Sequence, residues 1–241
     1  MVDTAIIRRW VLDANDGIIS TTGIIQGFEG AGASERTVLF AAMALMITGG
    51  LSLGGAAFAE AAQDRAAELR IIADEKERLA RSPAEERAQL REHYIARGLD
   101  PRLAEQVAGQ LMRRDALGAQ LETEYGMLEG AAPATRPWAV AIRGFLGFIS
   151  GALPVTAAVV FIPEPFKLVL SLLVIVASLT ATGLVSARAG TGQPVHAILR
   201  SITIGLFIAV LAFLAGNAFE LIDQFIPQID VDNDVSAMPP P

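Results

Sequence analysis

The residues able to do chemistry gather in two stretches. The first runs from Ala14 to Gly30. It is largely apolar, yet it holds the carboxylates Asp16 and Glu29, the hydroxyls of Ser20, Thr21 and Thr22, and glycines at 17, 23, 27 and 30. A carboxylate in hydrocarbon costs about 2.5–3.5 kcal/mol on insertion scales, so a plain anchor avoids one. Asp16 and Ser20, four residues apart, share a helix face. This composition suits a transport helix with Asp16 as a cation or proton site. It equally suits Asp16 as an interfacial N-cap, with Gly17 opening the helix. Glu29, near the far end, suits either a second point on a path or simple interfacial placement.

The second stretch is acidic. Glu60, Asp64 and Glu68 recur at helical spacing, with Glu75 two turns on, and Glu85, Glu86, Glu92, Glu122 and Glu124 follow. The first four read as a cation funnel with Glu60 at its mouth, or as a solvated face partly neutralised by Arg65, Arg70 and Arg78. Carboxylates from several helices that meet at one point would bind a divalent cation. Met112 and Met127 could add soft ligands or simply pack. There is no cysteine, hence no disulfide and no thiolate site, and only His93 and His196 offer imidazoles. Any metal must be held by oxygen or thioether donors, the set suited to Mg, Ca and Mn and acceptable to ferrous iron. A di-iron oxidase needs Glu-x-x-His pairs, but Leu90 and Gln193 precede the two histidines. No enzyme is therefore expected. A net charge of −7 argues against nucleic acid.

The elements that must position these residues are helical. Mean hydropathy is +0.45, with charges crowded between 60 and 130 and long uncharged runs on either side. Such runs read as membrane spans. A short interfacial helix is expected over 3–13, with Trp10 at headgroup level. Span one is expected over 17–32, marginal by hydropathy, and span two over 37–59, with Ser34 as its N-cap. Gly49, Gly50, Gly54 and Gly55 give span two a small face, suited to span one or a second subunit. Its helix continues to about residue 80. Ser82-Pro83 with Glu85 opens a second helix as a capping box, Gly98 ends it, and Asp100-Pro101 opens a third that runs to about 125. After a linker at 130–137, spans three, four and five are expected over 144–163, 168–187 and 201–219.

The expected fold is all-α: a polytopic membrane protein with five transmembrane helices and a cytoplasmic three-helix module between spans two and three. The parts are residues 1–59, the module at 60–130, residues 131–222, and an acidic Pro-rich tail at 223–241 expected to be disordered. Of the 19 Lys and Arg residues, only Arg36 and Lys167 fall on the side opposite the N-terminus and module. That bias places the N-terminus and module in the cytoplasm and the C-terminus across the membrane. Membrane lipid is the expected surrounding.

Four sequence runs resemble a known family. They are Asp16-Gly17-Ile18-Ile19-Ser20-Thr21-Thr22-Gly23, then Gly50-Leu51-Ser52-Leu53, and in the module Tyr94-Ile95-Ala96-Arg97-Gly98-Leu99-Asp100-Pro101 with Asp115-Ala116-Leu117-Gly118-Ala119. Their order and spacing are similar to the vacuolar iron transporter family and its prokaryotic members, from about residue 8 to 220. The resemblance implies a homodimer in the cell (inner) membrane, without a resident cofactor. It implies export of ferrous iron or manganese in exchange for protons, with Asp16 matching a metal-binding aspartate. It also implies a module that binds metal through two Glu-x-x-Glu pairs and a third-helix glutamate. Here Glu75, Glu86 and Glu124 match that set, but Arg78 and Gln89 stand at the partner positions. Leu53 stands where the family has a methionine. Ala57-Phe58 stands where the family has a glutamate before an aromatic, and Glu60, on the same helix face, would substitute for that glutamate. These departures leave a second reading, a non-transporting scaffold or metal sensor.

Overall fold

A computed structural model of the chain describes residues 4–127, 136–163, 166–188 and 194–225. Most of the expected linker, residues 164–165 of the following loop, the Gly-rich turn at 189–193 and the tail beyond Phe225 lie outside the described residues. The described residues form seven helices and no strand: α1 (Thr4–Gly30), α2 (Glu35–Arg81), α3 (Pro83–Ala96), α4 (Pro101–Tyr125), α5 (Pro137–Phe161), α6 (Lys167–Arg188) and α7 (Pro194–Phe225). They divide into two compact units. One contains the described residues up to Gly54 and from Ile142 onward; the other is Gly55–Ala141.

Among the described residues, four helices are long and apolar enough to cross a membrane, Glu35–Arg81, Pro137–Phe161, Val169–Arg188 and Ile198–Ile222. α1 is not among them, because its polar residues dilute its hydropathy. The expected interfacial helix and first span are one uninterrupted helix. Asp16 therefore lies in mid-helix, which excludes the N-cap reading. α1 buries Val11, Ala14, Ile18, Thr21, Thr22 and Ile25, among others, at three- and four-residue spacing. That period is one helix face pressed against neighbours. The core beneath joins Ile18 and Ile25 to Val38 and Ala42 of α2, Val155 and Val159 of α5, and Ile175 and Leu179 of α6.

Two crossings of α1 are closer than side chains allow. At Gly17 a Cβ would stand 2.1 Å from the Phe148 carbonyl oxygen of α5, and at Gly151 one would stand 1.9 Å from the Ala14 carbonyl oxygen. Near the other end, Gly30 faces the Phe213 carbonyl of α7 and Gly216 faces the Gly27 carbonyl in the same way. Small residues spaced along both partners let the backbones touch. Within the chain, part of the small face of span two meets α5 rather than span one: Gly49 lies under the Phe148 ring and Gly50 under Phe145, while nothing in the chain approaches Gly55 within 4 Å. The Ser34 hydroxyl accepts from the Thr37 N–H at 3.3 Å, the expected cap.

In the second unit, α3 packs on α4 through Leu90, Ala108 and Ala119, with Tyr94, Leu111 and Met112 around them. Met112 is thus a packing residue. The Asp100 carboxylate accepts from the Arg102 N–H at 2.9 Å and opens α4. Ser82 precedes α3 but its side chain makes no cap bond, so the expected capping box does not form. α4 breaks at Asp115, whose backbone is extended there (φ −157°, ψ 88°). The Asp115 carboxylate accepts from the Gly118 N–H at 2.9 Å and restarts the helix. α4 ends on Gly126, whose φ of +66° is the left-handed conformation that favours glycine.

Candidate functional site

The polar residues of α1 divide between the two sides of the helix. Asp13, not Asp16, is the sheltered carboxylate. Asp13 is 5% exposed, lies over Gly147 of α5, and pairs with Arg9 one turn earlier at 3.5 Å. Asn15 ties α1 to two further helices. Its Oδ1 accepts from the Thr182 hydroxyl of α6 at 2.5 Å, and its Nδ2 donates to the Ser201 hydroxyl of α7 at 3.4 Å. Asp16 is exposed on the single chain, and its carboxylate accepts from the Ser20 hydroxyl at 3.4 Å. The i, i+4 pairing is legible in the sequence; the sheltering of Asp16 by this chain's own helices is not found. The reason is rotational: the face that meets α5, α6 and α7 carries Asp13, Ala14, Gly17 and Ile18, which leaves Asp16 at its edge.

Further along α1 the interior stays polar. Thr21 and Thr22 are fully buried and their hydroxyl oxygens make no hydrogen bond, as is true of the Thr156 hydroxyl on α5. Gln26 is also buried, and its Nε2 donates to Glu29 Oε2 at 2.8 Å. Glu29 is therefore held by a neighbour one turn away.

In the second unit, Glu60 and Asp64 are exposed on α2 and Glu68 is half-buried. Among the described residues no three His, Asp or Glu side chains stand together in a way that could hold a metal ion. Glu75, Glu86 and Glu124 do approach one another, but around a side chain rather than an empty centre. Arg78, one turn after Glu75 on α2, hydrogen-bonds the Glu75 carboxylate. It also donates to Glu124 Oε2 and to the Tyr125 hydroxyl of α4, each at 3.0 Å. Its Nε lies 3.9 Å from Glu86 Oε1 on α3.

Two of the carboxylates are buried, while Arg78, Glu124 and Tyr125 reach the surface. Glu75 is 0% exposed and Glu86 6%, and Gln120 of α4 donates to the Glu86 carboxylate at 3.0 Å and to its carbonyl at 2.7 Å. Burial first, then the charge of Glu75, pushes the Glu86 carboxyl above its ordinary range, against the pull of Arg78. The hydrogen bonds to Glu75 and Tyr125 hold the Arg78 guanidinium still more firmly in its charged form. Of the other module carboxylates, Glu77 pairs with Arg81 and Glu92 with Arg91, while Glu85 and Glu122 are exposed. Gln89, at the other changed pair position, is exposed as well.

Four of these residues escape sequence reasoning. Asp13 carries a signal, its i, i+4 spacing from Arg9. Asn15, Gln120 and Tyr125 carry none, because their partners lie on other helices.

A model of the VIT family matches residues 7–217. The chain is 34% identical over 149 residues to a vacuolar iron transporter of Acanthamoeba castellanii, a match that covers 61% of this chain and only 53% of that protein. It is 23% identical over 220 residues to vacuolar iron transporter 1 of Tulipa gesneriana, covering 90% of this chain and 88% of the relative. It is 25% identical over 218 residues to vacuolar iron transporter 1 of Eucalyptus grandis, covering 89% and 87%.

Proposed function

This chain belongs to the VIT family, whose members are transporters and not enzymes, and from that premise we propose that it carries divalent metal, ferrous iron or manganese, out of the cytoplasm in exchange for protons. The observation that carries the reading is the family match across residues 7–217, which takes in α1 with Asp16 and the apolar helices α2, α5, α6 and α7. A hard cation suits an oxygen donor such as Asp16, and the metal is cargo rather than a resident cofactor. Deprotonated Asp16 would take the cation; protonation would release it, which couples the two fluxes. Ser20, hydrogen-bonded to that carboxylate, would steady the metal-free form. Glu60, on the long helix that leaves span two, would collect cations at the cytoplasmic mouth.

Exposure of Asp16 on the single chain supports a homodimer, since a second copy would supply the cover that an intramembrane carboxylate requires. In this reading α1 is the fifth span, and the chain is a multi-pass protein of the cell (inner) membrane. The N-terminus and helical module are cytoplasmic and the C-terminus is on the other side.

The test is flux into proteoliposomes, with Fe²⁺ and Mn²⁺ in parallel and a pH gradient imposed in either direction. The expected result is metal movement that follows the proton gradient and is lost in Asp16→Ala. Flux equal in the two proteins, or indifferent to the gradient, would overturn it. A second reading, a non-transporting scaffold or metal sensor, draws support from Arg78 among the module carboxylates and from Leu53 in span two. Metal binding without any flux would favour it.

A further inference from the structure

We propose that Arg78 is a tethered cation that fills the carboxylate cluster of the helical module, so that Glu75, Glu86 and Glu124 hold α2, α3 and α4 together without binding metal. The inference goes beyond transport by the membrane helices and stands or falls independently of it.

Three observations carry it. First, the guanidinium touches all three helices: it bonds Glu75 on its own helix, reaches Glu124 and Tyr125 on α4 at 3.0 Å, and approaches Glu86 on α3 at 3.9 Å. A divalent ion shared by these carboxylates would sit about 2.0–2.6 Å from their oxygens, where it would compete with the guanidinium for the same lone pairs and meet its positive charge. Second, Glu75 is wholly buried. A buried carboxylate without a counter-charge is costly, and Arg78 is the cation that meets it. An arginine remains charged at any physiological pH, so this cation cannot be titrated or washed away. Third, the Glu86 carboxylate is engaged and the position after it on that face is not a carboxylate, while the buried Glu75 Oε1 is left with no hydrogen-bond partner. Gln120 of α4 occupies Glu86 Oε2, and Gln89 is exposed, so no second pair of carboxylates forms on α3.

The consequence is a module assembled at all times, whatever the metal concentration around it. The substitution that undoes this is Arg78→Glu. It removes the built-in charge and gives Glu75 a carboxylate partner one turn away, so that an external cation is needed in its place.

The experiment uses the full chain in detergent, with Mn²⁺ alone as the probe and bound ion counted from the loss of the free-ion paramagnetic resonance signal. Wild type and Glu124→Gln are expected to bind the same number of Mn²⁺ ions with the same affinity. Arg78→Glu is expected to gain one further site, at least about tenfold tighter than any affinity of the wild-type module, since affinity rises with the number of charged ligands. Arg78→Glu combined with Glu75→Gln should lose that site again. If Arg78→Glu does not fold, Arg78→Gln decides: an additional Mn²⁺ site supports the proposal and its absence overturns it. Weaker Mn²⁺ binding by Glu124→Gln than by wild type would also overturn it, as would a folded Arg78→Glu with no added site. None of these outcomes depends on whether the membrane helices move metal.

Discussion

Gly151→Ala is the most exacting test of how α1 is held. A methyl group at Gly151 would stand 1.9 Å from the Ala14 carbonyl oxygen, against ordinary contact that begins at 3.4 Å. The atoms that methyl would meet are all backbone, so no neighbouring side chain can swing aside. α1 and α5 must separate by about 1.5 Å at this point, an overpacking change that costs about 1–3 kcal/mol. Alanine's better helix propensity returns about 1 kcal/mol at most, so the net effect is a loss. Ala14 is two residues from Asp16, and the displacement passes directly to it. In enzyme sites a shift of about 1 Å costs up to about 100-fold in rate; we expect metal flux to fall at least about tenfold. Gly55→Ala is the control, because nothing lies within 4 Å of a Cβ there, and it should leave flux unchanged. The assay pairs proteoliposome flux with thermal unfolding in detergent. Wild-type flux and Tm in Gly151→Ala, or equal damage from Gly55→Ala, would refute the packing argument.

Other outcomes follow from the second unit and from the α1 polar tie. Asp100→Ala should cost about 1 kcal/mol of module stability, because its carboxylate caps α4. Ser82→Ala should be near neutral, because its hydroxyl caps nothing; equal losses by thermal unfolding would count against both assignments. Gln120→Leu removes both hydrogen bonds to Glu86 and should lower stability by about 1–3 kcal/mol, read as the denaturation midpoint. Asn15→Ala should cost about 0.6 kcal/mol, a typical interhelical bond in membranes, since Thr182 keeps its bonds to the Ser178 and Leu179 carbonyls; loss of the folded protein would contradict this. Glu86 gives a pH dependence with a definite sign: burial and the charges of Glu75, Glu124 and Glu85 raise its folded carboxyl above 4.5, so the folded chain binds that proton more tightly than the unfolded chain. The group costs stability at neutral pH and returns it as pH falls through the raised value towards 4.5. The Tm difference between wild type and Glu86→Gln should move in favour of wild type over that window, and a difference independent of pH would refute the assignment.

Much of the helical layout is legible in the sequence. Uncharged runs mark α2, α5, α6 and α7, and Ser82-Pro83 and Asp100-Pro101 set the starts of α3 and α4 within a residue. Local chemistry decides those boundaries, so local sequence carries them. α1 reads as two pieces because Asp13, Asn15 and Asp16 look like a break. They are tolerated in mid-helix because Asp13 meets Arg9 and Asn15 meets Thr182 and Ser201, contacts made by the folded bundle. The kink at Asp115 is hidden for a related reason: a carboxylate three residues before Gly118 caps a helix only if the chain bends there. The identities of Glu75, Glu86 and Glu124 as a set come from family resemblance. That Arg78 stands among them is a fact of how three helices meet, which no single helix encodes.

The paired glycine crossings bear on how this bundle could change shape. α1 is seated against α5 through Gly17 and Gly151, and against α7 through Gly30 and Gly216, backbone on backbone at both places. A helix seated in this way cannot piston or swivel without dragging two neighbours along. Opening and closing would then be a tilt of α1, α5 and α7 as one rigid wedge, with the hinge outside it.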